Sequence, residues 1–255
     1  MSRILITGAS RGIGRAIAEE LTAEGHEVIA TARDVSALSD IPAALRLRLD
    51  VTDEHSVRAA VAEAGPVDVL VSNAGATVRA PMETVPVSEV EQLFALNTFG
   101  ALRVAQAVMP GMRERRAGKL IFMSSVQGRL AIPLIGPYAA SKWALEAIAE
   151  TLAIEAAHFG ISVQLFEPAA VSSGGAERAK VFLDDADPYR PLLDQMPGFR
   201  SNPITVQDVA RAVARSLDDD RSPLRVPVGA PAERMLAARK AAPEDAPFLA
   251  APLDW

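Results

Sequence analysis

Cysteine is absent from this 255-residue chain. It therefore has no disulfide, no thiolate metal site and no cysteine nucleophile, and the absence fits a reducing compartment. Surplus positive charge is lacking too. Against 32 acidic residues stand 26 basic ones, a net charge of −6, which disfavours nonspecific binding to nucleic acid or to an anionic membrane. No apolar run approaches the length of a membrane span. The start, Met1-Ser2-Arg3-Ile4-Leu5-Ile6-Thr7-Gly8, has only a short apolar run before its glycine and reads as a first strand rather than a signal peptide. These absences lead to the expectation of a cytoplasmic protein with a small-molecule partner. What is present, 49% hydrophobic and 23% charged residues, is the ordinary balance of a globular protein, and the length suits one large α/β domain.

Apolar runs and helical patterns alternate along the chain. Residues 3–7, 27–31, 45–49, 67–72, 120–123 and 161–166 read as short buried strands. Between them, Ile13, Ile17, Ala18 and Leu21 recur at helical spacing, and 53–64, about 88–116 and about 138–159 read as further helices. The alternation predicts a single-domain doubly wound parallel sheet of Rossmann type, with helices on both faces. Residues from about 172 to 202 are irregular and broken by prolines; 206–217 reads as a helix, 224–228 as a last strand and 233–240 as a final helix.

A glycine-rich turn, Thr7-Gly8-Ala9-Ser10-Arg11-Gly12-Ile13-Gly14, joins the first strand to the first helix. Glycines permit a tight turn and let backbone approach a pyrophosphate, which the helix N-terminus then favours. Many nucleotide folds place a carboxylate at the end of the second strand for the ribose hydroxyls. Here that end reads Ala30-Thr31-Ala32-Arg33-Asp34. Arg33, with Arg11 in the turn, suits a 2′-phosphate, and Asp34 suits the cap of the following helix. The expected cofactor is NADP(H). Tyr138 and Lys142 are four apart on one predicted helix face, so an ammonium stands beside a phenol and favours its phenolate. Ser125 ends the fifth strand, where a hydroxyl can bond a substrate oxygen as charge develops.

These residues together resemble the short-chain dehydrogenase/reductase family, from the first strand to about Leu217. The turn from Thr7 to Gly14 matches the family's cofactor turn, with contacts implied for Gly8, Ser10, Arg11, Gly12, Ile13 and Gly14. Asp50-Val51 matches the pair that meets the adenine ring. Asn73-Ala74-Gly75 matches the sheet-stabilising motif, with Ser72 where a further Asn is usual. Asn97 matches the asparagine that kinks its helix and holds a water, and Ser125, Tyr138 and Lys142 complete the tetrad. The resemblance implies Tyr138 as acid in reduction or base in oxidation. Lys142 is implied as the ribose ligand that depresses the tyrosine pKa, with Asn97 as the relay. It also implies cofactor contacts from Pro168, Val171 and Ser173, where Pro168-Ala169-Ala170-Val171-Ser172-Ser173 departs from the usual Pro-Gly, Val and Thr. Arg33, the tail and the long insert are most similar to the 17β-hydroxysteroid-dehydrogenase-like branch. A homodimer through the helices at 88–116 and 138–159 is the implied assembly, with a tetramer the alternative.

The segment 173–202 stands where the family covers its substrate. Its Phe182, Leu183, Tyr189, Leu192, Leu193, Met196 and Phe199 predict either a lid over an apolar ligand or side chains that pack the lid onto the body. Gln127, Arg129, Leu130 and Ile132 are expected pocket walls. The leading expectation is an NADPH-dependent ketone or aldehyde reductase without a metal. An oxidative alcohol dehydrogenase and a non-catalytic NADP(H) sensor are the alternatives.

Overall fold

A computed structural model describes residues 1–175, 177–184, 186–194, 203–217, 223–245 and 247–248. Seven parallel strands form one sheet: β1 (Arg3–Thr7), β2 (Glu27–Ala32), β3 (Leu45–Arg48), β4 (Val69–Ser72), β6 (Gly118–Met123), β7 (Ile161–Pro168) and β9 (Arg225–Val228). Their order is β3-β2-β1-β4-β6-β7-β9. Along each strand successive side chains turn to opposite faces, and both faces are buried. Leu5, Leu70, Leu120 and Phe122 face a core closed by α2 (Glu54–Ala64), α4 (Gly100–Arg115) and α5 (Gly136–Ala157). Ile4, Ile6, Val71, Ile121 and Phe166 face the other core, closed by α1 (Gly12–Ala23) and α7 (Val206–Leu217). Burial on both faces explains why these strands read as continuous apolar runs.

The helix expected over 88–116 is one span with an interruption. It comprises α3 (Val87–Phe94), a π turn over Ala95–Phe99 and then α4. A π turn inserts one residue into the ladder, so the hydrophobic spacing alone does not reveal it. A second, two-stranded sheet pairs β5 (Val78–Arg79) with β8 (Lys180–Val181), inside a segment expected to be irregular. The remaining helices are α6 (Pro191–Asp194) and α8 (Ala230–Ala241). No helix among the described residues is long and apolar enough to cross a membrane.

Candidate active site

The strand order reverses at β1. The chain runs outward through β2 and β3, then returns to place β4 on β1's other side. Ligands of open α/β sheets bind at such a switch point, beyond the strand C-termini. Two turns are laced together there. The Thr7 hydroxyl accepts from the Asn73 and Ala74 N–H groups, each at 3.0 Å. The Asn73 amide donates to the Thr7 and Gly8 carbonyls at 3.1 and 3.2 Å. Gly8 sits at φ +69°, a region side chains resist. Gly14 packs so tightly that a Cβ would lie 2.3 Å from the Gly8 oxygen and 2.5 Å from Asn73 Nδ2. Asn73 is thus a staple beneath the turn.

Arg11 is the N-cap of α1 and supplies no side-chain cap hydrogen bond. First-turn N–H groups of a helix have no intrahelical acceptor, so here they suit an anion such as a pyrophosphate. Ser10 and Ile13 stand half-buried on the same turn. The chain after β7 reaches back to it: a Cβ on Gly12 would lie 3.2 Å from the Ser173 carbonyl. Pro168 ends β7 beside Ser125, and Val171 is held by a bridge to Ile204. This cradle fits a nicotinamide dinucleotide.

At its far end Arg11 and Arg33 are solvent-exposed. Asp34 is already engaged, accepting the Ser36 N–H and hydroxyl at 3.0 and 2.7 Å as the cap of a short 3-10 turn. Arg48 ends β3 in register with Ala32, which brings it to the same sheet edge as Arg33; the sequence reading passed it over. Partial burial pushes the Asp50 carboxyl up, but Thr52, then Arg33 and Arg48, hold it below its ordinary range. The Val51 side chain lies in the core against Gly100, and its carbonyl accepts from Arg103 at 3.3 Å.

The four residues expected to be catalytic, Asn97, Ser125, Tyr138 and Lys142, gather where β4 and β6 end. Asn97 is 1% exposed and sits on the π turn. Its Oδ1 accepts the Ala76 N–H at 2.9 Å, and its Nδ2 donates to the Ala76 carbonyl at 2.9 Å and to Ser141 Oγ at 3.0 Å. Ser141 Oγ in turn donates to the Tyr138 carbonyl at 2.7 Å. The π turn therefore docks on the first turns of α5, the helix that carries Tyr138 and Lys142. Gly75 borders the same asparagine. Ser125 Oγ donates to the Pro168 carbonyl at 3.3 Å and accepts the Gln127 N–H at 3.2 Å, and its hydroxyl stands beside the Tyr138 side chain.

Lys142 Nζ donates to the Met123 carbonyl at 2.7 Å and lies 5.7 Å from the centre of the Tyr138 ring. Burial pushes the Tyr138 phenol up to about 12, with the Ser125 hydrogen bond opposing. Burial pulls the Lys142 ammonium down to about 8, with Glu146 opposing. The depression of the tyrosine by lysine that the resemblance implies does not act in this arrangement: desolvation raises the phenol and only Ser125 opposes it.

Of the expected pocket walls, Leu130 and Ile132 are buried against Ala232 and Met235 of α8, Arg129 is exposed beside Glu167, and Gln127, also buried, has an Oε1 without a hydrogen bond. The covering segment is tied down by β8 on β5, by Lys180 to Glu89 at 2.7 Å and by Tyr189 to Glu83. Phe182 packs in a cluster with Val78, Val85 and Tyr138. Met196, Phe199 and the Leu193 side chain lie outside the described residues.

An open parallel sheet with a glycine cradle and a Ser–Tyr–Lys cluster at its switch point defines a nucleotide-dependent oxidoreductase class. Comparison with known proteins agrees. Residues 2–181 match the family described as short chain dehydrogenase, and the chain belongs to the short-chain dehydrogenase/reductase family. It is 35% identical over 236 residues to the 3-ketodihydrosphingosine reductase of Bacteroides thetaiotaomicron, covering 89% of this chain and 87% of that one. It is 38% identical over 191 residues to 17-beta-hydroxysteroid dehydrogenase type 1 of Mus musculus, covering 69% of this chain and 56% of that one. A short chain dehydrogenase of Burkholderia cenocepacia, solved in complex with NADP, superposes with a TM-score of 0.80 at 25% identity, covering 94% of this chain and 93% of that one.

Proposed function

We propose that this chain is an NADPH-dependent reductase that adds a hydride to the carbonyl carbon of an apolar ketone or aldehyde, with Tyr138 as general acid. The observation that carries the reading is the Tyr138 phenol beside Ser125, with Lys142 one helical turn on and its Nζ 5.7 Å from the ring centre. Bound NADPH supplies the hydride. Tyr138 supplies the proton to the carbonyl oxygen, leaving an alcohol and a phenolate. A phenol pushed up to about 12 stays protonated through the neutral range, the form that reduction requires. Ser125 shares its hydroxyl with the oxygen on which charge grows, and the Lys142 ammonium favours the phenolate left behind. Asn97, through Ser141, holds the start of α5 in place and serves the proton relay with a water. The screen that tests the reading follows NADPH absorbance over a panel of apolar ketones and aldehydes, and an active site that consumes none of them overturns it.

The cofactor choice rests on Arg33 and Arg11 at the open end of the cradle, with Arg48 alongside, and on the NADP complex of the Burkholderia relative. Charge-assisted hydrogen bonds are worth about 1.5–3 kcal/mol, so Arg33→Asp should weaken NADPH binding by about 10–100-fold and NADH far less. Equal losses for the two, measured by fluorescence titration, would sink the 2′-phosphate assignment. The covering segment from about 173 to 202, with Phe182 in the Tyr138 cluster, supports an apolar substrate. So do the names of the two relatives, which refer to a ketodihydrosphingosine and a hydroxysteroid. A homodimer through the helical span over 88–116 and α5 is supported by Phe99 on the π turn and by Trp143 and Ile154 on α5, all exposed. Sedimentation should give twice the 27.0 kDa chain mass; a monomer mass contradicts it.

A further inference from the structure

Behind the Tyr138–Lys142 pair lie two buried carboxylates. Glu146 follows Lys142 by one turn of α5 and is 4% exposed. Both of its oxygens are held: Ser124 Oγ donates to Oε1 at 2.5 Å, and Arg225 Nε donates to Oε2 at 2.9 Å. Gly128 leaves room for this contact, since a Cβ there would lie 2.8 Å from Glu146 Cγ and 2.9 Å from Ser124 Oγ. Glu167, on β7, is 1% exposed. Its Oε1 has no hydrogen bond and lies 3.6 Å from Arg129 Nη1, whose side chain is largely in solvent.

The two carboxyls differ in their partners. Glu146 accepts from a hydroxyl and a guanidinium, whereas no hydrogen bond reaches Glu167 Oε1. Burial, and then the Glu146 charge, push the Glu167 carboxyl up to about 7. The charged groups that face Glu146 are Lys142 and Glu150 on α5, Glu167 on β7, Arg225 on β9 and Arg129 after the 3-10 turn that follows Ser125. Arg225 is divided between Glu146 and Glu150, at 2.9 and 2.6 Å. The hydrogen bond that Lys142 Nζ makes to the Met123 carbonyl gives it no counter-charge.

We propose that Glu146 is a positioning residue for Lys142: its buried carboxylate, one helical turn on, is the counter-charge that holds Lys142 as an ammonium beside Tyr138. The proposal rests on the reading of Tyr138 and Lys142 as the proton-donating pair. Through Ser124, the same carboxylate also pins the residue next to Ser125.

Glu146→Gln keeps the volume and removes the charge. Burial would then act on Lys142 unopposed, so its ammonium is lost at lower pH. The chain has four lysines, Lys119, Lys142, Lys180 and Lys240, so a sample labelled with 13C at lysine Cε gives a simple spectrum, and Lys142→Met assigns the resonance. In the unaltered chain Lys142 should titrate near about 8. In Glu146→Gln its midpoint should fall by about one pH unit, and Glu146→Asp should restore most of the difference. The alkaline limb of kcat/KM for NADPH-linked reduction of an apolar ketone should move down in parallel. A Lys142 midpoint unchanged in Glu146→Gln overturns the proposal whatever the activity. A shifted midpoint in a protein that consumes NADPH with no carbonyl leaves the charge coupling standing and defeats the reductase reading instead. If Glu146→Gln does not fold, Glu146→Met also removes the charge without leaving an amide to satisfy and must lower the Lys142 midpoint too; no movement again overturns the proposal.

Discussion

Tyr138→Phe should fold, bind NADPH as tightly as the unaltered chain and lose about 10²–10⁴-fold in turnover, the range for removing a general acid. The variant deletes one oxygen and leaves the ring in its cluster with Val78, Val85 and Phe182. What disappears is the proposed proton source beside Ser125. Ser125 is a poor replacement, since an ordinary hydroxyl holds its proton far more firmly than a phenol. Thermal melting and NADPH fluorescence titration establish fold and binding, and stopped-flow absorbance establishes turnover. Turnover within a few-fold of the unaltered chain would show that another group gives the proton. Loss of NADPH binding along with turnover would mean that Tyr138 holds the cradle rather than the reaction.

Gly14→Ala should remove NADPH binding by about 100-fold or more and lower the melting temperature as well. Its methyl would meet the Gly8 carbonyl at 2.3 Å and Asn73 Nδ2 at 2.5 Å, separations that backbone cannot absorb without moving. Overpacking of this kind costs about 1–3 kcal/mol or more. The atoms displaced are the ones that staple the two turns together, so the hydrogen bonds from Asn73 to Thr7 and Gly8 are strained too. Gly111→Ala is the control: on α4 a Cβ meets only the flexible Arg115 Nη1 at 3.3 Å, and helix propensity favours alanine there. If both variants bind NADPH normally, the turn is not the pyrophosphate cradle.

The sheet and the Ser125–Tyr138–Lys142 cluster were legible in the sequence for a physical reason. Strands buried on both faces read as apolar runs, and a helix places residues four apart on one face. The two-residue strands β5 and β8 were not legible, because two residues carry no period. The π turn adds a residue within an otherwise helical pattern, and only the family resemblance of Asn97 pointed to a kink there. Leu130 and Ile132 look like pocket walls next to Ser125, but α8 returns from some 100 residues later to bury them. Glu146 and Glu167 are the largest omission. An acidic residue in a helix is usually solvated, and only the tertiary placement of Ser124, Arg225 and β7 shows that these two are enclosed.

The account's central claim is hydride transfer to a carbonyl carbon. It is tested most directly by supplying the chain with NADPH carrying deuterium at both C4 positions, and the panel of apolar ketones and aldehydes. The account predicts an alcohol that carries one deuterium on the former carbonyl carbon, in an amount equal to the NADP formed, and almost none with Tyr138→Phe. Tight binding of NADPH with no deuterated alcohol from any carbonyl would contradict it and would identify the chain as a nucleotide-binding protein without turnover.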